Sequence, residues 1–261
     1  MHYWIDNEIL TWNSIVDDSR PQFINDRHRP YKHWKHANNL LQQHCTEFTL
    51  IDILTTLWRS VSLRLKHLND IYRFKKIPIA TKPSGLLEIM EYFEIIRPLM
   101  LNKLKDIRNV IEHEDKNIPD IDICRELSEF VWYFLRSTDP LAMKSVGLFT
   151  LNRGKFSKEI ENQFKDMPIN DLTFLIDIKR NWNIGISGNI ETTFLSYTSL
   201  NDWILVSGTI KRNTFEEIPV PKNTIMINGD IRGPSEIIYK IITLYFSLAF
   251  EGHHKLFSFL L

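Results

Sequence analysis

The chain has 261 residues, of which 43% are hydrophobic and 12% aromatic, so it can bury a sizeable core and is not a disordered tail. Its 32 Lys and Arg residues balance its 32 Asp and Glu residues, so no overall field draws it to nucleic acid or membrane, and an anion-binding surface needs local clustering. Cys45 and Cys124 predict reduced thiols rather than a disulfide framework.

The location predicted for the protein is the cytoplasm. The first residues lack a cationic stretch followed by an apolar one, and no apolar run is long enough to cross a bilayer. The most apolar segment, 237–250, contains Lys240 and is predicted to be a buried helix. We therefore expect no membrane partner.

Residues 1 to about 40 have weak periodicity and contain Pro21 and Pro30, which predicts short helices or loops. Within them, residues 27–36 combine Arg, His and Lys with Tyr31 and Trp34. The two rings either stack on single-stranded RNA bases or anchor this segment to the rest of the fold. A metal site at His33, His36 and His44 is rejected because no further ligand has a suitable spacing, and no cofactor is expected.

The segment from about residue 46 to 76 has the clearest helical periodicity in the chain. Its apolar residues recur at steps of three and four, and Thr46 or Thr49 would cap the helix. These apolar residues are Ile51, Leu54, Trp58, Val61, Leu65, Leu68 and Tyr72. The opposite face is basic and predicts either contacts with RNA phosphates or an ordinary solvated surface. Its cations are Arg59, Arg64, Lys66, His67 and Arg73.

Two further helical segments follow. The first extends from Leu86 to about Glu114, and Pro98 is expected to split or kink it because proline removes a donor and clashes with the preceding turn. The second, from Ile121 to Arg136, is predicted to bury Ile123, Leu127, Phe130 and Phe134. Long helices joined by short loops predict an antiparallel helical bundle.

The pattern changes after Ser137–Pro140, where β-rich runs separated by Gly, Asn and Pro begin. The predicted strands include Leu172–Ile178, Trp203–Ile210 and Thr224–Asn228, and a helix from Pro234 to about Phe250 would cover one sheet face. The expected fold class is α+β. It comprises an all-α domain at 1–143, whose first 40 or so residues are an irregular extension, and a small α+β domain at 144–261.

The stretch Asp106–Glu114 combines three side chains suited to RNA chemistry. Arg108 offers a permanent, forked cation for phosphate, and His113 can gain or lose a proton near neutral pH. Asn109 lies four residues before His113 on the same helical face and could orient the imidazole. Arg108 and His113 point about 140° apart on a helix. They therefore meet one phosphate only if the helix ends near His113 or a second chain contributes.

This motif and the order of the helices resemble a HEPN domain, the helical fold named from higher eukaryotes and prokaryotes nucleotide-binding. The resemblance covers roughly residues 40 to 140. Arg108, the amide of Asn109 and the later His113 fit the family pattern near the end of a long helix. The resemblance implies a metal-independent endoribonuclease whose site forms across a two-fold homodimer. The C-terminal half resembles no family that we can name.

In such a site the 2′-hydroxyl of RNA is the nucleophile, so the protein supplies a base, an acid and cations. Two His113 side chains would divide the base and acid roles while Arg108 holds the phosphate, giving a 2′,3′-cyclic phosphate and a 5′-hydroxyl. The resemblance also suggests a toxin or antiphage-defence effector. Residues 144–261 would then sense a trigger or bind a regulatory protein or ligand.

Other interpretations of the motif remain open at this point. Arg108 and Glu112 can form an exposed ion pair beside a His113 favoured by the helix dipole. The domain can be a non-catalytic dimerisation or nucleotide- or RNA-binding module with Arg108 as an anion anchor, or an antitoxin or scaffold whose basic face binds a protein. Glu112 and Glu114 would raise the pKa of His113 and repel phosphate, which suits an acid better than a base.

Overall fold

The computed structural model describes residues 1–23, 25–43, 46–114, 119–153, 173–199, 202–212 and 224–251, and only the backbone of residues 112–114, 173, 212 and 251. Helices and an antiparallel sheet place the chain in the α+β class that the sequence predicted. The described residues form two compact units. The helical unit comprises 21–75 and 82–145, and the sheet unit comprises 1–20, 76–81 and the described residues from 146 onward.

The helical unit is arranged around one long central helix, α2, which contacts α1, α4 and α5. Its described helices are α1 (Arg29–Leu40), α2 (Glu47–Tyr72), α3 (Leu86–Tyr92), α4 (Leu99–Glu114) and α5 (Ile121–Met143). The predicted cap of α2 is confirmed, because the Thr46 hydroxyl accepts from the Thr49 backbone and the Thr49 hydroxyl from the Thr46 backbone. This reciprocal pair satisfies two otherwise unbonded donors at the helix start.

The predicted break at Pro98 is also confirmed. Helix α3 ends at Tyr92, Glu94 takes a left-handed conformation with a φ of 58°, and α4 begins at Leu99, directly after the proline. Proline has no backbone donor and fixes φ, so it is favoured just before or in the first turn of a helix rather than inside it.

Helix α5 extends further than the predicted end at Arg136, and it continues through Pro140 to Met143. In the turn before the proline, the hydroxyls of Ser137 and Thr138 both donate to the Phe134 carbonyl, at 3.1 and 2.7 Å. Of the residues expected to be buried, Phe130 is 43% exposed.

The sheet unit is built on an antiparallel eight-stranded sheet with the strand order β2-β3-β4-β5-β8-β7-β1-β6. Its strands are β1 (His2–Ile5), β2 (Asn13–Pro21), β3 (Lys144–Asn152), β4 (Thr173–Ile178), β5 (Ile184–Glu191), β6 (Leu195–Ser196), β7 (Ile204–Arg212) and β8 (Thr224–Gly233). The three predicted strands correspond to β4, β7 and β8. Leu172, the first residue of one prediction, lies outside the described residues.

The N-terminal residues differ most from the prediction of an irregular extension to the helical domain. Residues 1–20 belong to the sheet unit, where β1 pairs with both β6 and β7. Tyr3 and Ile5 are fully buried. A four-residue strand is too short to show periodicity, and its partners lie at the other end of the sequence, so no local pattern predicts it.

The sheet unit also contains one described α-helix, α6 (Ser235–Glu251), close to the predicted bounds. It contacts β8 and the 3-10 turn Asn7–Thr11, and its Tyr245 and Phe246 rings lie 5.7 and 5.9 Å from the Trp182 ring. Further 3-10 turns lie at Phe74–Lys76 and Thr192–Phe194. None of the described helices combines the length and hydropathy that a membrane span requires.

Candidate functional site

The motif Arg108–His113 lies in the last two turns of α4, which ends one residue later at Glu114. Leu101, Leu104 and Ile111 are the buried line of this helix. Arg108 lies on the same line, four residues after Leu104 and three before Ile111, and it is half-buried. An arginine at a core-facing position is unusual because burying a cation costs free energy unless the site uses it.

The guanidinium of Arg108 is held by its sequence neighbour. Its Nη1 donates to the Asn109 side-chain oxygen at 3.1 Å, and both side chains are half-buried. The expected contact of Asn109 with the His113 imidazole lies outside the described side chains. Helix periodicity places Asn109 beside His113, four residues later. The long Arg108 side chain nevertheless reaches the adjacent Asn109 amide by folding back along the helix.

The backbone of His113 is helical, and its side chain and that of Glu112 lie outside the described residues. The suggested ion pair between Arg108 and Glu112 therefore also lies outside them. The backbone fixes the angle between the directions in which residues 108 and 113 leave the helix axis, because α4 is helical through both positions. Residues five apart on a helix rise about 7.5 Å and point in different directions.

The predicted basic face of α2 separates into exposed and buried members. Arg59 and Lys66 are exposed, and Arg73 is a half-buried residue after the helix, with a φ of 49°. Arg64 is only 2% exposed, and His67 only 8%. The assignment of Arg64 to an RNA-binding surface is therefore wrong. Arg64 belongs to a second, polar buried line on α2 with Thr56, Ser60 and His67.

Arg64 is the centre of a buried polar cluster that joins α1, α2 and α5. Its Nη2 lies 2.7 Å from the Asp139 Oδ1, and the Tyr31 hydroxyl donates to the other Asp139 oxygen at 2.7 Å. The Arg64 guanidinium lies 5.8 Å from the centroid of the Tyr31 ring. Burial and then the hydrogen bond to Asp139 raise the pKa of Tyr31. Asp139 thus compensates a buried cation and orients a phenol.

Tyr31 and Trp34 use their polar atoms inside the unit. The Trp34 Nε1 donates to the Ser128 carbonyl at 3.0 Å, and Tyr31 is bonded to Asp139. Of the two interpretations of residues 27–36, the structure supports anchoring, because both aromatic residues are tied to α5. Four further residues of this segment are exposed, and these are Arg29, Lys32, Lys35 and His36.

His67 gives the helical unit a predictable pH response. Burial, followed by the nearby Arg64 cation, lowers the pKa of His67 from its ordinary value of 6.5. Since the unfolded chain protonates first, stability should be complete above pH 6.5 and fall as the pH drops toward the folded-state pKa. Each unit of depression corresponds to about 1.4 kcal/mol.

The measurement is the urea midpoint between about pH 7.5 and 5.5. His67→Gln should flatten this dependence, whereas His28→Gln, at an exposed histidine, should retain the slope of the wild type. An unchanged slope in His67→Gln would contradict the assignment.

An apolar groove of about 510 Å³ lies on α4 and α5 and was not predicted from the sequence. Leu99, Phe130 and Tyr133 contribute to its wall and are 78%, 43% and 61% exposed. The available signal was the spacing of Phe130 and Tyr133, which share a face of α5 beside the buried line. Exposed apolar patches of this kind commonly mark protein interfaces.

The described side chains contain no group of three or more His, Cys, Asp or Glu residues that could hold a metal ion. Comparisons of the chain with protein-family models, with curated proteins and with solved structures found no match.

Proposed function

We propose that the chain is a HEPN-type, metal-independent endoribonuclease whose site is built on the C-terminal end of α4. The observation that carries the proposal is the position of Arg108. It is an arginine on the buried line of α4, fixed by Asn109, within the same two helical turns as His113. A half-buried, oriented guanidinium is suited to a phosphate because its forked donors match two phosphate oxygens.

The chemistry requires few groups because RNA carries its own nucleophile. A base removes the proton of the 2′-hydroxyl, which attacks the adjacent phosphorus, and an acid protonates the departing 5′-oxygen. His113 supplies these proton transfers. Arg108 stabilises the negative charge that develops on the non-bridging oxygens. The products are a 2′,3′-cyclic phosphate end and a 5′-hydroxyl end.

A second copy of the chain completes this site in the proposed mechanism. Since α4 is helical through both motif residues, Arg108 and His113 of one chain diverge by about 140°. Two chains related by a two-fold axis supply two histidines and two arginines, so one His113 serves as base and the other as acid. A neutral imidazole and an imidazolium can then coexist in one site.

The apolar groove on α4 and α5 supports a homodimer. Its exposed residues are Leu99, at the start of α4 and about 14 Å along the helix from Arg108, and Phe130 and Tyr133 on α5. A two-fold interface must be self-complementary. The exposed residues Glu129 and Arg136 flank Tyr133 at nearly equal spacing along α5. Two α5 helices crossing in opposite directions at Tyr133 would therefore place unlike charges opposite each other.

Replacing Tyr133 with Glu is expected to convert the dimer to a monomer and to remove cleavage, because an interface core does not tolerate an unpaired charge. Light scattering after gel filtration would measure the mass, and the same fractions would be assayed for cleavage. Tyr197→Glu is the matched control, since Tyr197 of the sheet unit is 65% exposed. A Tyr133→Glu variant that remains dimeric would contradict this interface.

The function itself is tested by incubating the purified chain with total RNA and with a tRNA pool in excess EDTA. Cleavage that persists without divalent metal and leaves cyclic-phosphate ends is the expected result. RNA that is bound but never cut would instead favour a non-catalytic binding module, in which Arg108 anchors an anion.

A further inference from the structure

Two basic segments that are separate in sequence come together in the helical unit. Helices α1 and α2 pack against each other, and the Ser60 hydroxyl donates to the Pro30 carbonyl at 2.8 Å. This contact fixes the start of α1 beside the middle of α2. His33 of α1 consequently lies within electrostatic range of Arg59 of α2 as well as of Arg29 and His36 on its own helix.

We infer that the surface formed by Arg29, His33 and His36 of α1 with Arg59 of α2 binds the phosphate backbone of RNA. This inference rests on the proposed function for the identity of its ligand. The surface lies on α1 and α2, whereas the motif lies on α4.

The helix geometry gathers these side chains on one face. Positions 29, 33 and 36 recur at steps of four and three and therefore share one side of α1, and the buried residues Pro30 and Ala37 lie about 90° around the helix from them. Arg29, His36 and Arg59 are exposed, and His33 is half-buried among them. Among the described residues, no carboxylate lies within ion-pair distance of Arg59.

The electrostatic balance at this surface is positive. Desolvation, followed by the charges of Arg29, Arg59 and His36, lowers the pKa of His33, and only Asp26 opposes this effect. Asp26 is itself shared by Arg29 at 3.8 Å and Lys32 at 3.1 Å. A phosphate near His33 would relieve the repulsion among these cations.

The start of α1 is rich in cations. The first turn of α1 contains no acidic residue and instead carries Arg29 after Arg27 and His28. Cations at a helix N-terminus oppose the helix dipole, and Asp26 is the carboxylate that compensates Arg29 and Lys32 here. A bound phosphate backbone would add a second compensating anion for Arg27, His28 and Arg29.

The surface should recognise phosphate rather than base. Tyr31 and Trp34 are the aromatic residues of this segment, and both donate hydrogen bonds within the helical unit. Since these rings are anchored, contacts to the backbone give affinity without sequence preference. Oligouridine and oligoadenosine of equal length should therefore bind with equal affinity.

The test uses the full chain carrying His113→Ala, so that RNA is not cut, and fluorescence anisotropy of a labelled oligouridine. For each phosphate contact, Kd should rise about 2.6-fold between 50 and 200 mM salt. Adding Arg59→Gln should weaken binding about threefold and reduce this salt dependence by one contact. Arg180→Gln in the sheet unit, also at an exposed arginine, is the matched control and should leave both quantities unchanged.

Protonation of His33 supplies a second readout. Because bound phosphate favours the imidazolium, RNA should raise the His33 pKa, measured by NMR, and binding should strengthen as the pH falls from about 7.5 to 5.5. His33→Gln should reduce this pH dependence, and His33→Gln combined with His36→Gln should remove most of it. An unchanged His33 pKa in the presence of saturating RNA, or equal affinities of Arg59→Gln and the wild type, would overturn the inference.

The two proposals fail in different ways. RNA that binds this surface but is never cut by the wild type refutes the ribonuclease and leaves the binding surface intact. Cleavage by the wild type with an unchanged KM in Arg59→Gln refutes the binding surface and leaves the ribonuclease intact.

Discussion

Replacing Arg108 with Gln is expected to slow RNA cleavage by about 10²–10³-fold, the usual effect of removing one donor to a developing negative charge. His113→Asn should slow it by about 10²–10⁴-fold, the usual contribution of a general acid or base. The amide substitutes keep much of the original size, so the helical circular dichroism and its urea midpoint should change little. Initial rates on a labelled RNA in EDTA provide the measurement.

Lys105→Gln is the matched control for these substitutions, because Lys105 is an exposed cation on the same helix, three residues before Arg108. Its cleavage rate should equal that of the wild type within a factor of about two, as expected for a screened surface charge. Retained cleavage in both Arg108→Gln and His113→Asn would refute the assigned site. Expression offers an independent readout, since an active ribonuclease should slow the growth of its host and His113→Asn should relieve the effect.

Replacing Asp139 with Asn is expected to destabilise the helical unit by about 3–5 kcal/mol, the typical result of leaving a buried charge without its partner. Arg64 is 2% exposed, and Asp139 lies 2.7 Å from its guanidinium. The amide preserves the shape of the carboxylate but removes its charge, and Tyr31 loses a charged acceptor. The shift in the urea midpoint of the helical circular dichroism signal measures the effect.

The exposed pair of Arg125 and Asp122, 2.8 Å apart, is the matched control for this prediction. Asp122→Asn should cost less than about 1 kcal/mol, because exposed ion pairs contribute little. A double variant, Arg64→Met with Asp139→Leu, should recover much of the stability lost in Asp139→Asn, since it removes both buried charges. A similar loss in Asp122→Asn and Asp139→Asn would contradict the role assigned to the cluster.

Local pattern was sufficient for the features whose causes are local. The cap at Thr46 and Thr49 and the break at Pro98 depend on hydrogen bonds and sterics within a few residues, and the sequence predicted both. In the central helix α2, by contrast, local pattern did not predict the full width of the buried face. Its apolar line was visible, but α1, α4 and α5 all contact α2, so its buried arc is wide enough to include Arg64 and His67.

Long-range pairing could not be predicted in the same way. Strand β1 is defined by its partners Leu195–Ser196 and Ile204–Ser207, and nothing within residues 2–5 identifies them. In the candidate site, the helical position of Arg108 followed from periodicity. The bond from Arg108 to Asn109 did not, because it depends on which rotamer the long side chain adopts. The meeting of His33 with Arg59 likewise depends on how α1 docks.

The order of synthesis has a consequence for the discontinuous sheet unit. Residues 1–20 are made long before residues 195–207, which contain the partners of β1. All residues of the helical unit, 21–75 and 82–145, have been made before then. Domains generally fold as units during translation, so the helices can assemble while the first strand is still unpaired. A nascent chain would therefore carry the proposed nuclease motif before the sheet has formed.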